Sequence, residues 1–323
     1  MIVEQIISYI LIAVTFVANV FGFGFDVNKD TVDAYNDRMH MIEIYENDLE
    51  TALPMTKIHS IIQDHLNAPL PKGKTEKKVL VLGYDGCRAD SMIQLPENKL
   101  SSIRTVLDDG GYGYIAYCGG VNYPGKPIQQ TSTAPGWCSM LTGKWADEHG
   151  ITGNGQIKSN KYLTILTSDV EKGLVDSSAF YVSWDGHFVD DNSTYKDELN
   201  YINEKKLDVT FKDASSDVGT FSNVMKDVRS KDCTDFIFSI FEYCDHTGHG
   251  SGFGENNFAY KYAFKSADKA GYEIIKAVKS RETFDTEDWL IIITSDHGGY
   301  DKEHGGDTLQ ERYMFIIANK KVK

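Results

Sequence analysis

The stretch IIITSDHGGYDKEHGG, residues 291–306, runs from an apolar, β-branched segment directly into turns bearing Asp296, His297 and His304. An apolar run without polar alternation is the pattern of a strand covered on both faces, and the glycines behind it let the chain reverse. Side chains placed just past such a strand stand at the carboxyl edge of an α/β sheet, where open sheets of this kind bind ligands. Two further segments repeat the arrangement. VLVLGYD closes on Asp85 and FIFSIFEYCD on Asp245, with His249 following in DHTGH. Three strands are therefore expected to deliver three carboxylates to one edge.

Outward from these segments, KVLVLGY (78–84), GYIAY (113–117), SAFYVSW (178–184), TDFIFSIFEY (234–243), WLIIITS (289–295) and RYMFIIA (312–318) read as strands. Between the fourth and fifth, Tyr260, Phe264, Ala267, Gly271, Ile274 and Val278 recur at helical spacing, which makes a β-α-β crossover. The fold class expected is α/β, a mostly parallel central sheet with helices on both faces. Ahead of it, residues 32–54 carry Tyr35, Met39, Ile42, Tyr45, Leu49 and Leu53 at three- and four-residue steps and stop at Pro54, as an amphipathic helix would. KIHSIIQDHL (57–66) reads as a shorter helix and NAPLPKGKTEKK (67–78) as a polar connector. Residues 6–25 lack any charge and are long enough to cross a bilayer, which needs about 20 residues. Ser8, Thr15 and Asn19 dilute that apolarity, so the segment reads either as an export signal or membrane anchor, or as a packed helix. The division expected is an apolar segment over 1–25, a helical extension and linker over 26–72, and a catalytic domain over 73–323.

A net charge of -14 with no basic stripe excludes attachment to a nucleic-acid duplex through its phosphates. The five cysteines, Cys87, Cys118, Cys138, Cys233 and Cys244, form no C-x-x-C pair, so neither a zinc ribbon nor a redox motif is indicated. Core filling is the expectation for them, although Cys87, Cys138 and Cys244 fall near the acids and the threonine singled out here. The glycines around Asp296 make no phosphate loop, since no Lys-Ser or Lys-Thr follows them at the start of a helix.

An Asp behind a single strand is ordinarily a turn residue or a cap. Three acids and three histidines on one edge are harder to assign to turns, because gathered carboxylates repel unless cations lie between them. Carboxylate oxygen and imidazole nitrogen suit zinc or a similar divalent ion, and six ligands exceed one tetrahedral site. Two ions are therefore expected, Asp296 and His297 serving one and His304 its neighbour. Ions about 3.5–4 Å apart can hold the attacking and leaving oxygens of a displacement at phosphorus. QQTSTAPGWCSMLTGKWADEHGITGN (129–154) offers a nucleophile: Thr133 precedes Pro135 and a helix expected over 136–142. Helix amino termini bind phosphate, so a hydroxyl there is well placed, although capping alone would also explain it. Asp185 and His187 in VSWDGHFVD read as a strand end and turn or as pocket residues, and His149 as a turn residue.

Taken together, YDGCRAD, TSTAPGWCSMLTGKWADEHGITGN, DHTGH, SDHGG and HGG resemble the alkaline phosphatase superfamily, most closely its nucleotide pyrophosphatase/phosphodiesterase branch, from Lys77 to near the end of the chain. The resemblance implies an alkaline-phosphatase-like fold and a hydrolase that cleaves a phosphodiester or pyrophosphate bond through a phosphothreonine on Thr133. It also implies that Asn154 contacts the phosphoryl oxygen. Asp85, Thr133, Asp296 and His297 would surround one zinc ion, and Asp245, His249 and His304 a second; no organic cofactor is implied. The substrate would be a small phosphate ester. Departures are Gly136, where the branch usually has Asn, the short interval between His297 and His304, and the end of the chain soon after a strand, which suggests a compact or truncated form with a small substrate cap. Alternatives are a phosphomonoesterase, for which Arg88 is the one arginine near a motif, a phosphotransferase, or an inactive metal-binding surface protein. Thr133 in place of Cys or Ser argues against a sulfatase.

Overall fold

KVLVLGY lies within β2 (Glu76–Tyr84), the central strand of the computed structural model, which describes residues 52–93, 100–119, 129–155, 159–188, 193–254 and 257–322. Along β2 the side chains alternate between two hydrophobic clusters: Leu80, Leu82 and Tyr84 enter one, Val79 and Val81 the other. Period-two geometry sends successive residues to opposite faces, so a strand covered on both sides must be apolar throughout. The same alternation holds in β6 (Phe236–Phe241), β7 (Glu287–Thr294) and β8 (Tyr313–Ala318), each buried along its whole length. Each aliphatic side chain so covered contributes about 1.5–3 kcal/mol.

With β1 (Leu53–Pro54), β3 (Tyr112–Tyr117), β4 (Ser178–Val182) and β5 (Val209–Asp213), the sheet has eight strands in the order β1-β3-β8-β7-β2-β6-β4-β5. β8 alone runs against the others. The sheet is thus mostly parallel, and helices cover both faces. In chain order the helices are α1 (Lys57–Asn67), α2 (Ala89–Ile93), α3 (Ser102–Asp108), α4 (Thr133–Thr142), α5 (Ala146–His149), α6 (Ile165–Glu171), α7 (Lys196–Lys205), α8 (Asp217–Val228), α9 (Tyr243–Ser251), α10 (Phe258–Lys279) and α11 (Leu309–Arg312). Apolar residues of α3, α8 and α10 fill the first cluster, and those of α1, α4 and α6 the second.

α10 is the crossover expected between β6 and β7. Asn257 caps it by accepting from the amides of Ala259 and Tyr260, and Tyr260, Phe264, Ala267, Gly271, Ile274 and Val278 are all buried. Gly271 sits mid-helix because a Cβ there would fall 2.1 Å from the Tyr84 hydroxyl. That hydroxyl pairs with Ser102 at 2.8 Å, and Ser102 donates to Asp268 at 2.6 Å, which fastens the end of β2 to α3 and α10.

Two strands escaped the sequence reading. β5 is an edge strand with half-buried alternation, so its signal in VTFKD is weak, and β1 is two residues long. Leu53 and Pro54, read as the end of an amphipathic helix, instead pair in parallel with Ala116 and Tyr117. Met55, Ile58, Ile61, Ile62 and Leu66, from the stretch read as an extension, pack in the same cluster as Val79 and Val81. The apolar run over 6–25 and the helix expected ahead of Leu53 lie outside the described residues. Among the described residues no helix is long and apolar enough to cross a membrane.

Candidate metal centre

Asp85 is the residue after β2, and Gly86 turns the chain with φ +63°. A Cβ on Gly86 would lie 2.7 Å from the Asp245 Cα, so the turn after β2 and the start of α9 are in direct contact. Two backbone bonds hold them there: the Asp85 amide donates to Phe241 at 2.8 Å, and the Asp245 amide to the Asp85 carbonyl at 3.1 Å. Asp245 was expected at a strand end. β6 stops at Phe241, and DHTGH is helical, so Asp245 and His249 face one way by their i, i+4 spacing on α9. Asp296 and His297 follow β7, both fully buried.

α4 begins at Thr133, three residues earlier than expected, with Ser132 at the cap position. Proline is tolerated in a first turn, where its missing N–H has no helical partner to lose, so Pro135 lies inside the helix. Thr133 Oγ1 donates to Asp85 Oδ1 at 3.3 Å and lies 3.4 Å from His297 Nε2. His297 Nε2 is 3.3 Å from Asp296 Oδ2 and 3.5 Å from Asp85 Oδ1. In the second group, Asp245 Oδ2 is 3.4 Å from His249 Nε2, and its Oδ1 is 3.6 Å from His304 Nε2. The groups adjoin, since the His297 and His304 rings are 4.1 Å apart between centroids.

Each histidine is oriented from behind. Nδ1 of His297 bonds the Gly298 carbonyl at 2.6 Å, that of His304 the Thr131 carbonyl at 3.0 Å, and that of His249 the Lys302 carbonyl at 2.7 Å. Donation from Nδ1 leaves a lone pair on Nε2, the arrangement typical of ligating histidines. All three lone pairs then face carboxyl oxygens, an arrangement that either a proton or a cation between them would stabilise. Asp245 Oδ1 and Asp296 Oδ2 are buried without a hydrogen-bond partner. The donor chemistry suits a cation: Asp85, Asp296 and His297 form one group that could hold a metal ion, and Asp245, His249 and His304 another, with the ligand atoms in each within 4.8 Å of one another.

Burial, followed by the neighbouring acids, pushes the carboxyls of Asp85 and Asp296 well above the usual range. Burial and then Glu303 push Asp245 up to about 7. Burial and then His249 bring His304 down to about 4, and burial and then His304 hold His297 well below its ordinary value. For Asp245, a folded value raised from 3.8 to about 7 means stability present below pH 3.8 and lost as pH rises towards 7. A divalent ion held by these groups would have to displace those protons and would bind more tightly as pH rises. The gap in melting temperature between zinc-loaded and chelated protein should therefore widen from pH 5 to pH 8; differential scanning fluorimetry measures it.

Residues that the sequence reading passed over complete the centre. Trp137 Nε1 donates to Asp85 Oδ2 at 2.7 Å from one turn into α4. Trp137→Phe should weaken zinc binding about 10-fold, the lower range for loss of a group that orients a ligand, measurable by competition with a fluorescent chelator. Glu242, directly after β6, joins Asp85 and Asp245 in a carboxylate group, and its Oε1 has no partner. Its position at a strand end was the available signal. Gly136, where the resembled branch has Asn, lets α4 lie close to the Asp296 turn, since a Cβ there would be 3.1 Å from Asp296 Cβ.

Other residues singled out from the sequence lie as follows. Asn154 Oδ1 accepts from the Ala134 amide at 2.8 Å, tying its loop to the first turn of α4. Arg88 is buried and bonds Asp90 and the Phe253 carbonyl. His149 is buried against Ser139 and accepts from the Ile151 amide. His187 is buried among Phe180, Trp184, Phe188 and Tyr195, whereas Asp185 is exposed.

An open, mostly parallel sheet with helices on both faces and a donor cluster at its carboxyl edge makes the chain an α/β protein with its candidate site at the strand ends. The family model of type I phosphodiesterase / nucleotide pyrophosphatase matches residues 79–309, and the chain belongs to that family. It is 23% identical over 242 residues to the bis(5'-adenosyl)-triphosphatase enpp4 of Xenopus laevis, a match covering 71% of this chain and 48% of the relative. The chain thus spans about half the length of that curated relative. Among solved structures, it is similar to the 2-O GAG sulfatase BT1596 with a TM-score of 0.50 at 11% identity, covering 75% of this chain and 63% of the other. Murine ectonucleotide pyrophosphatase/phosphodiesterase 5 has a TM-score of 0.45 at 21% identity, covering 68% of this chain and 57% of the other.

Proposed function

We propose that this chain hydrolyses a phosphodiester or pyrophosphate bond of a small substrate, a nucleotide-like ester by kinship with its relatives, and that Thr133 is the nucleophile. The observation that supports this best is the convergence of three Nε2 atoms and three carboxylates beside a threonine hydroxyl at the start of a helix. Asp85, Asp296 and His297, with Thr133, would hold one divalent ion, and Asp245, His249 and His304 the other; zinc best suits this mixture of oxygen and nitrogen donors. Bound there, such ions supply a lowered hydroxyl pKa and neutralise charge on the departing oxygen.

The chain's own groups account for the rest. The bond to Asp85 fixes the Thr133 oxygen at the mouth of α4, the positive end of that helix dipole. Because Asn154 spends its Oδ1 on Ala134, Nδ2 is the donor it can turn to a phosphoryl oxygen. Attack by Thr133 forms the oxygen-phosphorus bond and expels the alcohol or phosphate, leaving a phosphothreonine that water cleaves. Arg88, committed to Asp90, offers no support for a guanidinium clamp on a monoester dianion. Residues 6–25 would export or anchor the domain, which begins with β1 rather than at residue 73 because α1 packs in its core.

Turnover of bis-p-nitrophenyl phosphate should exceed that of p-nitrophenyl phosphate, vanish on chelation and return with zinc. Faster cleavage of the monoester would overturn the branch assigned. No turnover of either ester at full zinc occupancy would leave a binding protein.

A further inference from the structure

Cys87 stands two residues after Asp85, and Cys244 immediately before Asp245. Their side chains are buried in the same hydrophobic cluster, and the residues beside them touch, a Cβ on Gly86 falling 2.7 Å from the Asp245 Cα. The backbones that carry them are in contact through the Asp245 amide and the Asp85 carbonyl, 3.1 Å apart. Tyr260 fixes the turn around Cys87: its hydroxyl donates to the Gly86 carbonyl at 2.6 Å and accepts from the Arg88 amide at 2.9 Å. The remaining cysteines are engaged elsewhere. Cys118 donates to the Glu311 carbonyl and Cys233 to that of Thr234, while Cys138 lies in a separate small cluster with Ala134 and Ile151.

We propose that Cys87 and Cys244 are a disulfide-forming pair that staples the turn after β2 to the first turn of α9, and so ties one candidate ligand set to the other. A disulfide-type oxidant supplies the balance. One cysteine sulfur attacks the oxidant and releases a thiol. The second sulfur then displaces the mixed disulfide and releases another. The two thiol hydrogens leave as protons, and the two electrons reduce the oxidant. A disulfide requires a short Cα separation, and the two cysteines flank the point where the Gly86 turn touches Asp245. The bond would close a loop of more than a hundred residues, the regime in which a crosslink restricts the unfolded chain most. Because both sulfurs are buried, closure during folding is the accessible route, and the finished bond is sheltered from reductant.

The test is to renature the full chain with oxidised or reduced glutathione, alkylate free thiols, digest without reductant and map the peptides by mass spectrometry. The expected result in the oxidised sample is one crosslinked species joining the Cys87 and Cys244 peptides, with the other cysteines alkylated. Its thermal midpoint should lie several degrees above that of the reduced sample, and the double variant Cys87→Ala/Cys244→Ala should show no such difference. Alkylation of both residues in oxidised protein that regains its native circular dichroism, or crosslinks to Cys118, Cys138 or Cys233 instead, would overturn the proposal. The readout is chemical, so its failure is distinguishable from failure of the diesterase reading.

Discussion

Thr133→Ala should lower turnover of bis-p-nitrophenyl phosphate by on the order of 10³-fold or more, with zinc content and melting temperature little changed. The hydroxyl lost is the one atom at the head of α4 that lies within 3.4 Å of both Asp85 and His297, and it is the group that would form the covalent bond to phosphorus. Its removal leaves the three histidines anchored through their Nδ1 atoms and the carboxylates in place, so an ion bound beside Thr133 would keep Asp85, Asp296 and His297 and lose only the hydroxyl. Thr133→Ser keeps the oxygen and should recover much of the rate. Acid-quenched wild-type protein incubated with a labelled substrate should carry phosphate on the peptide containing Thr133, and the alanine variant should carry none. An alanine variant within tenfold of wild type would mean that water attacks the substrate directly.

Asp85→Asn should act in opposite directions on activity and on the metal-free fold. Asp85 accepts from both Thr133 and Trp137 and belongs to two carboxylate-bearing groups, so it has the most shared position in the centre. Neutralising it removes an anionic ligand, and turnover should fall by on the order of 10³, equivalent to the few kcal/mol by which a well-held ion stabilises a transition state. Elemental analysis should show the loss of about one zinc per chain on the two-ion reading. The chelated variant, however, should melt above chelated wild type at pH 8, because one of several mutually repelling buried carboxylates is gone. A variant that keeps both zinc ions and full activity would remove Asp85 from the ligand set.

How far the sequence can be read depends on where each residue's constraint comes from. β2, β6, β7 and β8 were legible because burial on both faces demands unbroken apolar runs, and α10 because its apolar positions keep one helical stripe. β5 was not, since half of its residues face outward at a sheet edge, and β1 is too short to carry a period. At the site, Asp85 and Asp296 were announced by the strands they follow. Asp245 was placed correctly at that edge but for the wrong local reason: glycines and histidines in DHTGH disguise a helix held by its surroundings. The backbone carbonyls behind His249, His297 and His304 were beyond reach, because a main-chain acceptor leaves no mark on the side-chain pattern.

The two ligand sets differ in how they are housed. Asp85, Asp296 and His297 are sealed at strand ends, whereas His249 has 40% of its side chain exposed and rides with Asp245 on a nine-residue helix. Gly248 and Gly250 make that helix a poor one on its own. Fraying of one turn would be enough to release an ion held by the outer set, while one held by the inner set could leave only if the packed sheet and helices around it parted. Dialysis of a loaded molecule should therefore pass through a half-filled form, the exposed slot emptying before the sealed one.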